Sequence, residues 1–247
     1  MVLRALQRVG DWLLVMRRAL ARPQNGRLFR RQVADNMWRL GVGSLPLVLI
    51  VSLAIGVLLV LQIVLNFGYP WLPRFAIGYA AREVILLEFS TAIVCVILAG
   101  KVGSNIASEL GTMRVTQQID ALEIMGVNSA SYLILPKIMG MLTIMPFLVI
   151  FSSATGILGA YATAYIGHVL PPDDLTLGLQ HSFKPWFMWM SIIKSQFFAF
   201  IISSVPAFCG YTVEGGSVNV GKASTDAVVT SSVLILFSDV FLTQLLS

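Results

Sequence analysis

The chain has 247 residues, of which 57% are hydrophobic and only 12% charged, and its mean hydropathy is +0.82. A soluble domain carries roughly 25% charged residues, so this composition excludes an ordinary water-soluble fold and points to an all-α integral membrane protein, residues 1–247 forming a single membrane domain. The net charge of +5 is uneven: nine of the seventeen Lys and Arg residues precede Leu40. No aromatic or polar platform accompanies them, so they read as a cytoplasmic anchor beside anionic headgroups rather than a nucleic-acid stripe. Cys95 and Cys209 sit in apolar runs and read as free, buried thiols.

The first 20 residues mix apolar and charged side chains and lack the continuous apolar core of a secretory signal. Val2, Ala5, Val9, Trp12, Met16 and Leu20 recur at helical spacing, while Arg4, Arg8, Asp11 and Arg18 share another face. That pattern predicts an amphipathic helix lying in the membrane interface, or else a solvated helix packed on a partner; residues 1–39 together form the interfacial helix and a basic cytoplasmic segment.

A membrane-spanning helix needs roughly 20 mostly apolar residues. Leu45 to Phe67 supplies the first span, and Arg82 to Val102 the second, with Glu88 inside it. Ile138 to Ile166 supplies the third. Trp186 to Gly210 carries Lys194 and Ala227 to Leu246 carries Asp239, making five spans. Gly156, Gly159 and Ala160 would let the third span pack closely, either within the protein or against a second copy. With the N-terminus inside, thirteen Lys and Arg lie on the cytoplasmic side and three (Arg74, Arg82 and Lys184) on the other, so the C-terminus emerges on the periplasmic side. The segments 67–81 and 167–185 then face outward, with Trp71, Trp186 and Trp189 near that interface.

Between spans 2 and 3 lies a polar island, Gly103 to Gly126. Ile106, Leu110, Met113, Gln117 and Asp120 fall on one helical stripe, Ile119, Leu122 and Met125 on another, and Glu109, Arg114, Asp120 and Glu123 supply charge. A short helix of this kind can insert into a groove on a soluble partner, or simply connect two spans.

The string Glu109-Leu-Gly111-Thr112-Met113, then Thr116, Gln118-Ile-Asp120-Ala-Leu122 and Gly126, resembles the signature of the MlaE/YrbE family, the permease subunits of MCE-type ABC lipid transporters. Gly215-Gly216-Ser-Val-Asn-Val-Gly221, followed by Ala223, Thr225, Ala227-Val-Val229 and Ser231, is a second similar segment. The chain departs from the family where Gln117 replaces a frequent Glu and Ser217 a frequent Ala. It departs again where Leu87-Glu88-Phe89-Ser90-Thr91 stands for the frequent Arg-Glu-Leu-Gly-Pro. The resemblance implies that residues 104–126 hold a cytoplasmic coupling helix that docks on a separate ABC ATPase, and that the chain is non-catalytic with ATP and Mg on that partner. It also implies a homodimer, a periplasmic MCE-domain lipid-binding protein and a bacterial inner-membrane location. The expected cargo is lipid, phospholipid in the first instance, moved so as to maintain outer-membrane lipid asymmetry. Span 1 and span 5 are expected to line its acyl-chain path.

The three intramembrane charges are costly in lipid and mark a functional site by default. Glu88 lies six residues in from Arg82, Lys194 eight in from Trp186 and Asp239 eight from the C-terminus. At a rise of about 1.5 Å per residue, all three fall roughly 10 Å below the outer surface. They can share one layer, with Lys194 between two carboxylates. The cluster then handles a lipid headgroup or gates its passage, or it is a structural ion cluster joining spans 2, 4 and 5. In a stand-alone secondary transporter or channel it would be an ion relay, but that class predicts repeats or broken spans that this sequence does not show.

Gly216-Ser-Val-Asn-Val-Gly221-Lys222-Ala223 nearly spells a phosphate-binding loop, but Ala223 stands where Mg²⁺ needs Ser or Thr, and no strand precedes it. Its glycines are expected to let a cytoplasmic turn run close to the head of span 5. His168 and His181, with Asp173 and Asp174 between them, read as solvated loop residues rather than a metal site.

Overall fold

In lipid a backbone can satisfy its hydrogen bonds only internally, so each apolar run closes into a helix. The computed structural model describes residues 2–21, 26–67, 73–167 and 170–246, and among these all regular structure is helical. Trp71 and His168 lie outside the described residues.

Helix α1 is Val2–Ala19. Helix α2 (Gly26–Asn36) runs through a π-helical turn, Met37–Gly41, and a 3-10 turn, Val42–Ser44, into α3 (Leu45–Phe67). Helix α4 (Phe75–Val84) continues through a π-helical stretch, Ile85–Ile93, then α5 (Val94–Leu98), a second π-helical turn, Ala99–Gly103, and α6 (Ser104–Val115). The remaining helices are α7 (Gln118–Ile124), α8 (Ser129–Gly167), α9 (Pro172–Gln180), α10 (Trp186–Tyr211) and α11 (Ser217–Leu246). Five stretches are long and apolar enough to cross a membrane: Gly26–Asn66, Phe75–Val115, Ser129–Gly167, Trp186–Tyr211 and Ser217–Leu246. The chain is an all-α, multi-pass membrane protein.

The helices outrun the apolar windows that announce them. The first begins at Gly26 rather than Leu45, the second extends from Phe75 to Val115, and the last begins at Ser217 rather than Ala227. Hydropathy marks what partitions into lipid, whereas a helix continues through polar residues until the backbone is turned. The turning points are Gln117, Gly126 and Gly215, all with positive φ. The expected outer loop at 167–185 also contains a helix, α9. Its start carries Pro172 followed by Asp173 and Asp174, which suit the positive end of a helix.

Packing divides the chain into two compact units. The first comprises Met1–Ser44, Val96–Ile144 and Phe198–Ser238. Here Trp12, Met16 and Ala19 turn α1 inward, and the Trp12 ring meets Phe200 edge-on at 6.1 Å. Val9 and Leu20, which the spacing grouped with Trp12 and Met16, instead stay exposed beside Leu6 and Leu13. Helix α1 therefore has two apolar faces, one of them uncovered.

The second unit comprises Leu45–Cys95, Met145–Phe197 and Asp239–Ser247. Its core gathers Leu59, Val60, Ile77, Ala81, Ile85, Ala160, Ala164, Leu170 and Leu175. The small residues of α8 serve this internal contact. A Cβ on Gly56 of α3 would overlap the carbonyl of Gly156, and one on Gly159 would overlap that of Leu53. The hydroxyls of Ser52 and Ser152 meet at 2.7 Å in the same seam. Gly56→Ala is expected to lower stability in detergent by about 1–3 kcal/mol through overpacking. Leu58→Ala, at a side chain 63% exposed, should leave the melting temperature nearly unchanged. Equal melting of the two variants would show that the α3–α8 seam is loose.

Candidate functional site

A charge inside an apolar helix persists only if partners surround it. In the second unit, Glu88 on the π-helical stretch, Lys194 on α10 and Asp239 on α11 come together. The Lys194 ammonium lies 2.7 Å from Asp239 Oδ1 and 3.5 Å from Glu88 Oε1. It also donates a hydrogen bond to the Leu87 carbonyl at 3.1 Å. The Asp239 contact is ionic without hydrogen-bond alignment.

The backbone partner has a local cause. A π-helix shifts its carbonyls away from the regular i→i+4 ladder, and side chains collect them here. Ser191 Oγ donates to Leu86 O at 2.8 Å, and Thr91 Oγ1 to Leu87 O at 2.7 Å. The widened helix therefore forms with Thr91 at the position where the resembling family often has proline. Thr243, one turn beyond Asp239 on α11, adds a hydroxyl 3.4 Å from Glu88 Oε1. Thr243 and the Leu87 carbonyl were not singled out from the sequence. The i, i+4 spacing of Asp239 and Thr243 was the available signal for the first.

The three side chains differ in access. Lys194 is fully enclosed, Asp239 is 10% exposed and Glu88 is 40% exposed. With all three ionised, the cluster carries one excess negative charge, and its open member is Glu88.

Arg82, expected at an exposed helix end, is instead buried. Its Nη1 donates to the carbonyls of Leu179 and His181, each at 2.8 Å, closing the C-terminal end of α9. The rings of Tyr79 and Phe183 lie 5.0 and 5.6 Å from the guanidinium carbon. His181 packs on Phe75 at 5.0 Å. Among the described residues no group of three His, Cys, Asp or Glu is placed to hold a metal.

In the first unit the polar island is two helices, not one. Gln117 adopts the left-handed conformation (φ 59°, ψ 17°) and separates α6 from α7, an end that glycine more often supplies. The stripe expected from Ile106 to Asp120 therefore holds only through α6. Several residues of the resemblance motif point inward. Glu109 forms an ion pair with the buried Lys137 at 2.9 Å, with Arg39 at 4.0 Å. These residues border a cleft of about 210 Å³ that also takes in Asp35 and Tyr132. Gly111 is buried, and a Cβ there would meet Val220 at 3.0 Å. Asp120 pairs with Arg114 across the break at 2.5 Å. Ile119 is buried, and Met113 and Leu122 are half-buried.

Other members face outward: Thr112, Thr116 and Gln118 are exposed. The tip of α7 is apolar and bare, with Ile124 87% and Met125 68% exposed. Ile124 was not singled out from the sequence; an apolar residue just before the turn at Gly126 was its only sign. Glu123 accepts hydrogen bonds from Ser129 Oγ at 2.8 Å and Tyr211 Oη at 3.0 Å, which hold its carboxyl below the ordinary value.

In the second motif only Gly215 needs to be glycine for its backbone, with φ +98°. Gly216 and Gly221 face open space, so close approach, the expected reason for them, does not apply. The string that nearly spells a phosphate-binding loop is helical from Ser217 onward.

Apolar spanning helices, an ion cluster among them and a braced helical pair with a bare apolar tip define a polytopic membrane protein. The sequence matches the Permease MlaE family over residues 33–245, and the chain belongs to that family. It is 32% identical to a "Probable ABC transporter permease protein" of Rickettsia bellii over 98% of this chain and 93% of the relative. It is 30% identical to a protein of the same description from Synechocystis, over 90% of this chain and 84% of the relative. The chloroplastic protein TRIGALACTOSYLDIACYLGLYCEROL 1 of Arabidopsis thaliana is 31% identical over 89% of this chain and 62% of its own length.

Lys194→Met leaves the Asp239 carboxylate buried without its counter-charge and is expected to cost about 3–5 kcal/mol. The double variant Lys194→Met with Asp239→Asn should recover part of that loss in thermal unfolding. A harmless Lys194→Met would mean that the cluster is not held by charge. Glu123 supplies a pH-dependent counterpart. Its folded pKa is lowered, so its contribution is fully present above the unfolded value of about 4.3 and is lost as pH falls through the folded value. Glu123→Gln should melt below the parent protein at pH ~7, and the gap should close towards pH ~3. A gap that widens on acidification would contradict the assigned hydrogen bonds.

Proposed function

We propose that this chain is the non-catalytic permease of an ATP-driven lipid transporter in a bacterial inner membrane. Two copies work with two separate ABC ATPase chains, which carry the ATP and Mg, and with a periplasmic MCE-domain lipid-binding protein. Lipid, phospholipid in the first instance, passes between the inner membrane and that carrier, an exchange that serves outer-membrane lipid asymmetry. The observation that carries the reading is the exposed apolar tip of α7, Ile124 and Met125, on a helical pair braced by Glu109–Lys137 and Arg114–Asp120. Such a knob fits a groove on a soluble partner.

Charge and likeness support the rest. The thirteen Lys and Arg assigned to the cytoplasmic side all belong to the first unit, and the other four to the second. That asymmetry supports an N-terminus in the cytoplasm and a C-terminus in the periplasm. Relatives named as ABC transporter permeases support a partner ATPase, and the relative named after a galactosyl lipid supports a lipid cargo.

In this reading ATP draws the two ATPases together and the α6–α7 pair moves with them. Thr112, Thr116 and Gln118 lie on the docking side, while Glu109, Gly111, Asp120 and Leu122 hold the pair's shape. Helix α6 ends the uninterrupted stretch Phe75–Val115, which also carries Glu88. The lipid's polar end meets Glu88, Lys194 and Asp239, and its acyl chains meet apolar faces of α3 and of the end of α11. ATP must bind two conformations with different affinity for this to do work.

Purification from the native membrane in mild detergent should recover a stoichiometric ATPase, an MCE-domain protein and bound lipid by mass spectrometry. Ile124→Glu combined with Met125→Glu should lose the ATPase without a change in melting temperature. Recovery of the chain alone, under conditions that preserve comparable complexes, would overturn the proposal.

A further inference from the structure

Within the lipid-transport reading above, we propose that the Glu88–Lys194–Asp239 cluster selects lipids whose headgroup carries a protonated amine over lipids of net negative charge.

Burial and charge lead to this choice together. The cluster holds two carboxylates against one ammonium, and the ammonium is the member with no exposed surface. Lys194 already serves both carboxylates and the Leu87 carbonyl. Its charge is therefore spent within the protein. An approaching headgroup meets the Glu88 carboxylate, the only member of the three with substantial exposure.

No basic side chain on the neighbouring turns offsets that carboxylate. The residue before it, Leu87, is apolar. Arg82 is enclosed and committed to the carbonyls that end α9. On α11, between Asp239 and Thr243, Val240 and Phe241 are apolar and open, 68% and 67% exposed. The excess negative charge therefore sits in surroundings of low polarity, where an unbalanced charge is most costly. A headgroup ammonium supplies the missing positive charge and donates to Glu88 as it arrives. A phosphate group with no amine adds a second negative charge to the same place. One charge-assisted hydrogen bond contributes about 1.5–3 kcal/mol, which sets the expected preference at roughly tenfold or more.

The test uses the full chain in bilayers of equal phosphatidylethanolamine and phosphatidylglycerol with matched acyl chains. A photoreactive residue at Val240 captures adjacent lipid, and one at Leu158 on α8, 59% exposed, reports the surrounding bilayer. Mass spectrometry counts the adducts. Enrichment of phosphatidylethanolamine at position 240 by roughly tenfold over position 158 is expected. Glu88→Gln should bring the ratio close to that of the bilayer. Leu87→Arg, which leaves all three cluster residues in place, should shift it towards phosphatidylglycerol. Greater capture at position 240 with no headgroup preference, or with phosphatidylglycerol favoured, would overturn this inference and leave the lipid-pathway reading intact. So would a ratio unmoved by Leu87→Arg. Adducts at 240 that match those at 158 in both yield and composition would overturn the pathway reading itself.

Discussion

The Lys194 ammonium has no contact with solvent, and everything around it is arranged so that this can be so. Two carboxylates and a main-chain carbonyl converge on it from α11 and from the π-helical stretch that follows α4. The partners come from two other helices, so the charge cannot be housed unless those helices reach their proper registers. Buried ion groups are weak sources of net stability, but they penalise every arrangement that leaves a charge alone. In the second unit this penalty acts as a register mark on helices whose apolar side chains would tolerate sliding.

The π-helical stretch is what makes the arrangement possible. Its carbonyls lie off the usual ladder, and Ser191, Thr91 and Lys194 take up the ones at Leu86 and Leu87. The chain reaches this geometry with a threonine where the family often uses proline. A hydroxyl that bonds back to the preceding turn and a ring that removes a donor are two ways to disturb the same helix. The missing arginine at Leu87 has a different effect, because it leaves the cluster with an unbalanced carboxylate.

The first unit meets the same constraint in the same way, with an enclosed ammonium and a partly open carboxylate. Lys137 is buried and Glu109 satisfies it, which draws a residue of the polar island into the interior. Gly111 and Ile119 are drawn in as well. What remains outside is a small set of hydroxyl and amide side chains and the bare tip formed by Ile124 and Met125. Within one motif, then, some residues brace the helical pair and others are left open. The left-handed Gln117 sets the angle between the two helices and keeps the tip clear of α6.

Composition, span count and the existence of an intramembrane charge layer were legible from residues alone, because apolar length and the cost of a lone charge are local properties. The spacing of Glu88, Lys194 and Asp239 from their helix ends was enough to anticipate one shared layer. Where the helices end was not legible, since helices continue past their apolar windows until a backbone such as that of Gln117 or Gly215 turns them. Nor could α-helical spacing foresee a π-helical turn, the capture of the Leu87 carbonyl, or the burial of Arg82 against the end of α9. Residues distant in sequence decide those features: Lys194 and Ser191 for the carbonyls of Leu87 and Leu86, and the carbonyls of Leu179 and His181 for Arg82. The sequence by itself determined that this is a helical membrane protein with charges that must be paired. Only the tertiary structure decided which charge is enclosed and which is left open, because exposure depends on helices that the order of residues does not bring together.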